Sequence, residues 1–248
     1  MVDLRLRASK VLWALSKSES RRALLVHRVL AASEHRRAPF EKTYGTVIDV
    51  GAHHGQFALF AAQRFPGADI LCFEPQPEAL AQLRRTATSM LDRLTIFPYA
   101  AGAEPARVDM HISARDDSSS LLPISERGQA AAFPGTQETG TITVEVRSLD
   151  EMLSPARLTP PVLLKIDVQG SELEVLRGAN RTLDHVDDVL VEASFRELYA
   201  GQPLVSSVLA ELFACDYALV DVCVSHRDRR GPVQADLLLR RGSSSAHE

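Results

Sequence analysis

Short apolar runs alternate with amphipathic stretches through most of this chain, and the alternation begins after Pro39. The spacing predicts strands over 46–50, 69–73, 94–98, 162–168, 188–193, 217–222 and 235–239. Between them it predicts helices over 56–65, 77–86, from 171 onward, and over 204–213. Strand and helix in turn are the signature of a parallel sheet covered on both faces, because each crossover lays a helix against the sheet. The pattern therefore predicts an α/β fold with a doubly wound, mostly parallel seven-stranded sheet, whose closely spaced last pair supplies an antiparallel edge strand.

Two regions break the rhythm. Residues 1–40 read as an N-terminal helical extension, with Leu25, Val26, Val29 and Leu30 near a 3.6-residue period behind the capping-box pattern Ser16-Lys17-Ser18-Glu19. Packing on the core is its expected role, and a lid over the substrate is the sharper alternative. From 103 to 140 a short strand at 107–112 gives way to Asp116-Asp117-Ser118-Ser119-Ser120 and Phe133-Pro134-Gly135, which read as loop, before alternation resumes at 141–146. Long loops inside compact domains are commonly functional, so 103–140 is expected to be a substrate-facing insertion in a domain spanning 41–241. The tail 242–248 is expected to be flexible.

Composition narrows the class. At 248 residues with 45% hydrophobic and 24% charged positions, the chain has an ordinary globular balance, and no apolar run approaches the roughly 18 residues of a membrane span. A net charge of -4 lacks the positive excess that phosphate backbones select, which sets nucleic acid aside as a partner. Cys72, Cys215 and Cys223 are odd in number and too scattered for a zinc or disulfide framework, and Cys72 sits in the apolar run Ile70-Leu71-Cys72-Phe73 of a buried thiol. This usage, with an N-terminal apolar stretch at 11–15 too short for a secretory signal, predicts a cytoplasmic protein.

The candidate chemistry lies at two strand ends. Val47-Ile48-Asp49-Val50-Gly51-Ala52-His53-His54-Gly55 and Leu163-Leu164-Lys165-Ile166-Asp167-Val168-Gln169-Gly170-Ser171-Glu172 each carry an apolar strand into an acidic residue, a glycine-containing turn and a helix. In open α/β sheets, ligands bind outside the carboxyl ends of the strands. Asp49-x-Gly51-x-x-x-Gly55 permits close backbone approach to a ligand and a helix start with free N–H groups, but it has only two glycines and meets neither the dinucleotide nor the phosphate-loop fingerprint. Glu74 ends the second strand 25 positions after Asp49, where an acidic side chain can accept from ribose hydroxyls, and Pro75 stops the strand. The combination predicts a nucleoside pocket.

Val47 to Ala52, Phe73-Glu74-Pro75, Leu149-Asp150-Glu151-Met152-Leu153 and, most specifically, the block from Leu164 to Ala179 resemble FkbM-type methyltransferases. The resemblance covers roughly 45–222 and implies a Rossmann-like class I methyltransferase that uses S-adenosylmethionine to methylate a hydroxyl on a small sugar or polyketide-type acceptor. It places Asp49, Gly51, Ala52, His53 and Gly55 on the methionine and ribose side, Glu74 and Pro75 at the ribose, and Ala101 in the cofactor-binding set. Two departures stand out. His53 occupies a position where the family often has Asn, and Tyr99-Ala100-Ala101-Gly102 lacks the acidic residue that many methyltransferases place near adenine.

Methyl transfer from a sulfonium needs an aligned acceptor oxygen and a group to take its proton. Asp167, Glu172 and Glu192 are the candidate catalytic carboxylates, with Glu172 equally explained as a helix-dipole partner and Glu192 as an exposed strand residue. Glu174 reads as the capping partner of Ser171, and Lys165 as structural. The three carboxylates would also suit Mg²⁺, which spacing alone leaves open. Competing readings are a catalytically inactive nucleoside-binding or scaffold module of the same fold, and a nicotinamide dehydrogenase, disfavoured by the missing third glycine.

Overall fold

The computed structural model describes residues 23–27, 29–40, 42–88 and 93–242. The predicted capping box at Ser16-Glu19 and nearly all of the predicted tail lie outside them. β1 (Thr46–Val50) and β7 (Val162–Ile166) are buried along their whole length, as the central strands of a sheet are when helices cover both faces. They pair in parallel at the centre of a seven-stranded sheet. On one side β1 is followed by β2 (Asp69–Phe73) and β3 (Leu94–Phe97). On the other, β7 is followed by β8 (Asp188–Ser194), β10 (Gly231–Arg241) and β9 (Tyr217–Asp228). β10 runs antiparallel to both β8 and β9, and the remaining pairs are parallel. Strand order reverses between β1 and β7, so the crevice of a doubly wound sheet opens above those two strands.

Period-two alternation divides the core into two layers. Val47 and Leu163 point to one face, where they meet Phe57, Phe60 and Phe65 on and just after α1 (Gln56–Arg64). Ile48 and Leu164 point to the other, against Val175 and Leu176 of α3 (Glu172–Arg177) and Val208 and Leu212 of α4 (Val205–Ala214). Between α1 and α3 in sequence, α2 (Pro77–Ala87) follows β2 and buries Leu80 and Leu83. No helix among the described residues is long and apolar enough to cross a membrane.

The two irregular regions differ from expectation. The described part of the extension is a π-helical turn at Ala23–His27 and a 3-10 turn at Ser33–Arg37, not one helix. Leu25 and Val26 are exposed while Val29, Ala31 and Ala32 are buried, so the helical period does not carry through residue 29. Residues 103–140, read as mainly loop, are organised by a β-arm. β5 (Ala106–Ser113) pairs antiparallel with β6 (Glu138–Arg147), and β4 (Ala100–Ala101) joins β6 in parallel. Ala100, Met110, Val144 and Val146 form a small core of its own.

Candidate active site

The turn after β1 is built against its neighbours before any ligand is considered. Gly51 and Ala52 both donate their amides to the Phe73 carbonyl at 3.0 Å, which knits the turn to the end of β2. Gly51 has φ 77, and a Cβ there would lie 1.8 Å from the Asp167 carbonyl oxygen. The glycine is thus required by the approach of the chain leaving β7. Gly55, at φ 87, would put a Cβ 2.9 Å from Leu83 on α2, so helix packing demands this one. The amides expected to be free for a ligand are, at Gly51 and Ala52, already bound by the protein.

His53, at φ 48, donates its amide to Glu74 Oε2 at 2.7 Å, and Gln76 donates its amide to Oε1 at 2.8 Å. Burial pushes the Glu74 carboxyl up to about 7, against these two amides, which favour its charged form. A carboxylate offers about four acceptor positions, so two remain for hydroxyl donors from the cavity that Glu74 lines.

Beyond β7, a chain of polar contacts organises the second strand end. Lys165 and Asp49 are register partners across the β1–β7 ladder, and the Lys165 ammonium lies 3.0 Å from Asp49 Oδ1. The same ammonium donates to the Gly51 carbonyl at 3.0 Å and stands 3.7 Å from Asp167 Oδ2. Burial opposes its charge, but Asp49 and Asp167 reverse that effect and raise its pKa above the ordinary lysine value. Burial also raises Asp49, which Lys165 draws back down. Asp167, one residue past the end of β7, is free to face the cavity.

Gln169 joins the candidate carboxylates. Its φ of 56 is uncommon for a side chain other than glycine, and the surrounding contacts hold it there. Its Nε2 donates to Asp167 Oδ1 at 2.8 Å and Glu192 Oε2 at 3.1 Å, and its Oε1 accepts from the Tyr199 hydroxyl at 2.8 Å. Ser120 donates to the Gln169 carbonyl at 2.6 Å, which fastens the β-arm to this turn. Gln234 Nε2 reaches Glu192 Oε2 at 3.0 Å. Burial, with Asp167, Asp236 and Glu172 nearby, raises Glu192 well above the ordinary carboxylate range.

These elements enclose a cavity of about 930 Å³. Of the predicted residues, Gly51, Ala52, His53, Glu74, Pro75, Ala101, Asp167 and Glu192 line it. Asp49, Gly55 and Glu172 stand apart from its wall. Asp49 is buried beside Lys165 and Gly55 packs on α2. Glu172 turns back to accept the Gly170 amide at 2.8 Å, and burial pushes it up to about 7. The Mg²⁺ cage considered for Asp167, Glu172 and Glu192 does not assemble: among the described residues those three are not gathered as ligands. Nor does Glu174 cap Ser171, since its carboxylate pairs with Arg177 at 2.7 Å. Ser118, Ser119 and Ser120, in a segment read as loop, are buried.

Sequence reasoning missed Lys165, Gln169 and Gln234 as cavity residues, while the walls at 29–35 and 115–119 fall in the extension whose alternative role was a lid and in the insertion expected to face the substrate. A lysine within an apolar strand, directly before Ile166-Asp167, was a signal for the first of these.

Residues 49–219 match the family model described as a methyltransferase FkbM domain. The chain belongs to the FkbM methyltransferase family. As such it is an S-adenosylmethionine-dependent methyltransferase. It is 31% identical over 192 residues to the 2-O-methyltransferase NoeI of Sinorhizobium fredii, covering 75% of this chain and 76% of that protein. The hexuronic acid methyltransferase AglP of Haloferax volcanii is 31% identical over 149 residues, or 58% and 54% of the two chains. The 31-O-demethyl-FK506 methyltransferase FkbM of Streptomyces tacrolimicus is 29% identical over 199 residues, or 71% and 68%. The FkbM-family match begins at Asp49, so the extension and the wall it contributes lie outside it.

The donor group fits the residues present. Glu74 has two acceptor positions for a ribose diol, and about 930 Å³ is at the upper end of what a small-molecule site offers, room for a nucleoside and an acceptor together.

Proposed function

We propose that this FkbM-family enzyme methylates a hydroxyl of a small metabolite of sugar or polyketide type. The observation that carries the reading is that Glu74, past the end of β2, and Asp167, past the end of β7, open onto one cavity. The printed names of the relatives, a 2-O-methyltransferase, a hexuronic acid methyltransferase and a 31-O-demethyl-FK506 methyltransferase, support an oxygen acceptor. The net charge of -4 supports a small acceptor over a nucleic acid.

S-adenosylmethionine, when bound, supplies an activated methyl group on a sulfonium. Glu74 accepts the ribose hydroxyls, and the Gly51–His53 turn shapes the donor side. On the acceptor side, Asp167 accepts the hydroxyl proton as the oxygen becomes nucleophilic. Gln169 fixes one oxygen of that carboxylate, and the Lys165 ammonium stabilises its charge. The extension at Val29–His35 and the β-arm wall off water from both sides.

Calorimetry with S-adenosylmethionine and S-adenosylhomocysteine tests the donor half. Saturable binding is expected for the wild type, weakened about tenfold to a hundredfold in Glu74→Ala. Mass spectrometry of a hydroxylated-acceptor panel then reads the gain of one methyl mass. No saturable heat with the wild type would overturn the proposal.

A further inference from the structure

At the cavity mouth, His53 and His54 stack their imidazoles with centroids 3.8 Å apart and planes 21° from parallel. Both rings direct Nε2 toward one atom, Asp116 Oδ2 on the β-arm, at 3.6 Å and 3.2 Å. Nε2 of His53 is buried and has no hydrogen-bond partner. The ligand atoms of the three side chains all lie within 4.8 Å of one another, and no other group of His, Cys, Asp or Glu among the described residues does so.

The spacing fits ligands of a shared ion, although 3.2 Å also lies within the reach of an ordinary hydrogen bond. A charge-assisted N–H···O bond contracts to about 2.7–2.9 Å. Ligands about 2.1 Å from a tetrahedral ion stand about 3.4 Å apart along each edge. The observed 3.6 Å and 3.2 Å straddle the second value. For both lone pairs to meet on one ion about 2.1 Å from each nitrogen, the two rings must turn out of their stack. Gln56 Nε2 lies 3.4 Å from Nδ1 of His53; exchanging the amide nitrogen and oxygen, which are assigned from hydrogen bonding, would let Gln56 accept Nδ1–H and leave the Nε2 lone pair free.

We propose that His53, His54 and Asp116 form a site for a divalent cation of the Zn²⁺ class. Two imidazoles and one carboxylate are the donor set of Zn²⁺ and its transition-metal neighbours, whereas Mg²⁺ and Ca²⁺ take oxygen ligands. Three protein ligands leave a coordination position toward the cavity, fit for an oxygen of the acceptor. The ion also staples the arm to the turn after β1, since Asp116 and His53 otherwise meet only across the cavity mouth. The acceptor role rests on the O-methylation reading; the site itself does not.

The test uses the full chain, free of any polyhistidine tag and stripped with a chelator, titrated with Zn²⁺ by calorimetry and with Co²⁺ by visible absorption. Neither cofactor nor acceptor is present, so the outcome is independent of methyl transfer. One ion per chain is expected, with the intense ligand-field bands of four-coordinate Co²⁺ and no competition from Mg²⁺. His54→Ala and the exposed-turn variant Asp116→Asn should each weaken binding at least about tenfold while melting like the wild type. His53→Asn, which tolerates the left-handed backbone, serves as the third arm. Spectra of solvated Co²⁺, or binding indifferent to all three substitutions, would overturn the proposal.

Discussion

Asp49 and Lys165 face each other across the β1–β7 ladder, with their charges 3.0 Å apart and both side chains buried. The pair locks the two strands whose carboxyl ends form the site, and the same ammonium grips the Gly51 carbonyl. Removing one partner leaves the other charge stranded in the core. Lys165→Met is expected to cost about 3–5 kcal/mol in urea denaturation, and adding Asp49→Asn should recover much of that loss. A single variant within about 1 kcal/mol of the wild type would show that the pair does not secure the sheet.

Gly51 and Gly67 both have positive φ, at 77 and 102, yet only Gly51 has a neighbour in the way. Gly51→Ala must push back the main chain at Asp167 and is expected to lose more than about 4 kcal/mol or fail to accumulate as folded protein. Gly67→Ala meets nothing within 4 Å and should lose only about 1 kcal/mol of backbone preference. Thermal melts of the two variants side by side check the contrast.

Gln169 positions Asp167 and Glu192 without carrying charge itself. Gln169→Leu removes these two hydrogen bonds and the one accepted from Tyr199 at similar volume, and kcat is expected to fall on the order of a hundredfold through misplacement of the carboxylates. The dissociation constant for S-adenosylhomocysteine should stay near the wild-type value, because the substitution leaves Glu74, the residue proposed to hold the ribose, in place. Equal losses in both quantities would mean that Gln169 supports the whole fold.

Glu172 gives a stability signature that separates packing from catalysis. Its folded-state carboxyl is pushed up to about 7 from an ordinary 4.5. Between these values the unfolded chain holds fewer protons than the folded one, so stability is fully present below the lower value and falls as pH rises through the upper. Glu172→Gln, which cannot ionise, should therefore gain on the wild type by up to about 3 kcal/mol between pH 4 and pH 8 in urea titrations. It should also retain methyl transfer, since this carboxylate is turned to the Gly170 amide. Abolished turnover in a fully folded Glu172→Gln would restore it as a catalytic group.

The legibility of the site followed ladder position. Glu74 and Asp167 stand one residue beyond β2 and β7, where nothing ties the side chain to a sheet face, and acidic residues there were readable as crevice groups. Asp49 looked equivalent, but it is inside the ladder opposite Cys72 and Lys165, so the pleat directs it into the α1 layer. The seven main strands were readable because they are mostly apolar or alternate along their length. The two strands of the β-arm were readable in part, at 107–112 and 141–146, but their pairing and the start of β6 at Glu138 were not, since both strands leave one face to solvent. Gln169 carried no signal of its own: its importance comes from contacts with Ser120, Tyr199 and Glu192, each distant in sequence.

The Asp167 carbonyl occupies the space where any side chain at residue 51 would begin. The turn after β1 and the turn after β7 are therefore spaced by main chain pressed on main chain, a ruler with no adjustable part. If donor and acceptor lie at these two turns as proposed, changes in the lining at the arm and the extension alter which molecule is admitted, while the gap across which the methyl group travels stays the same.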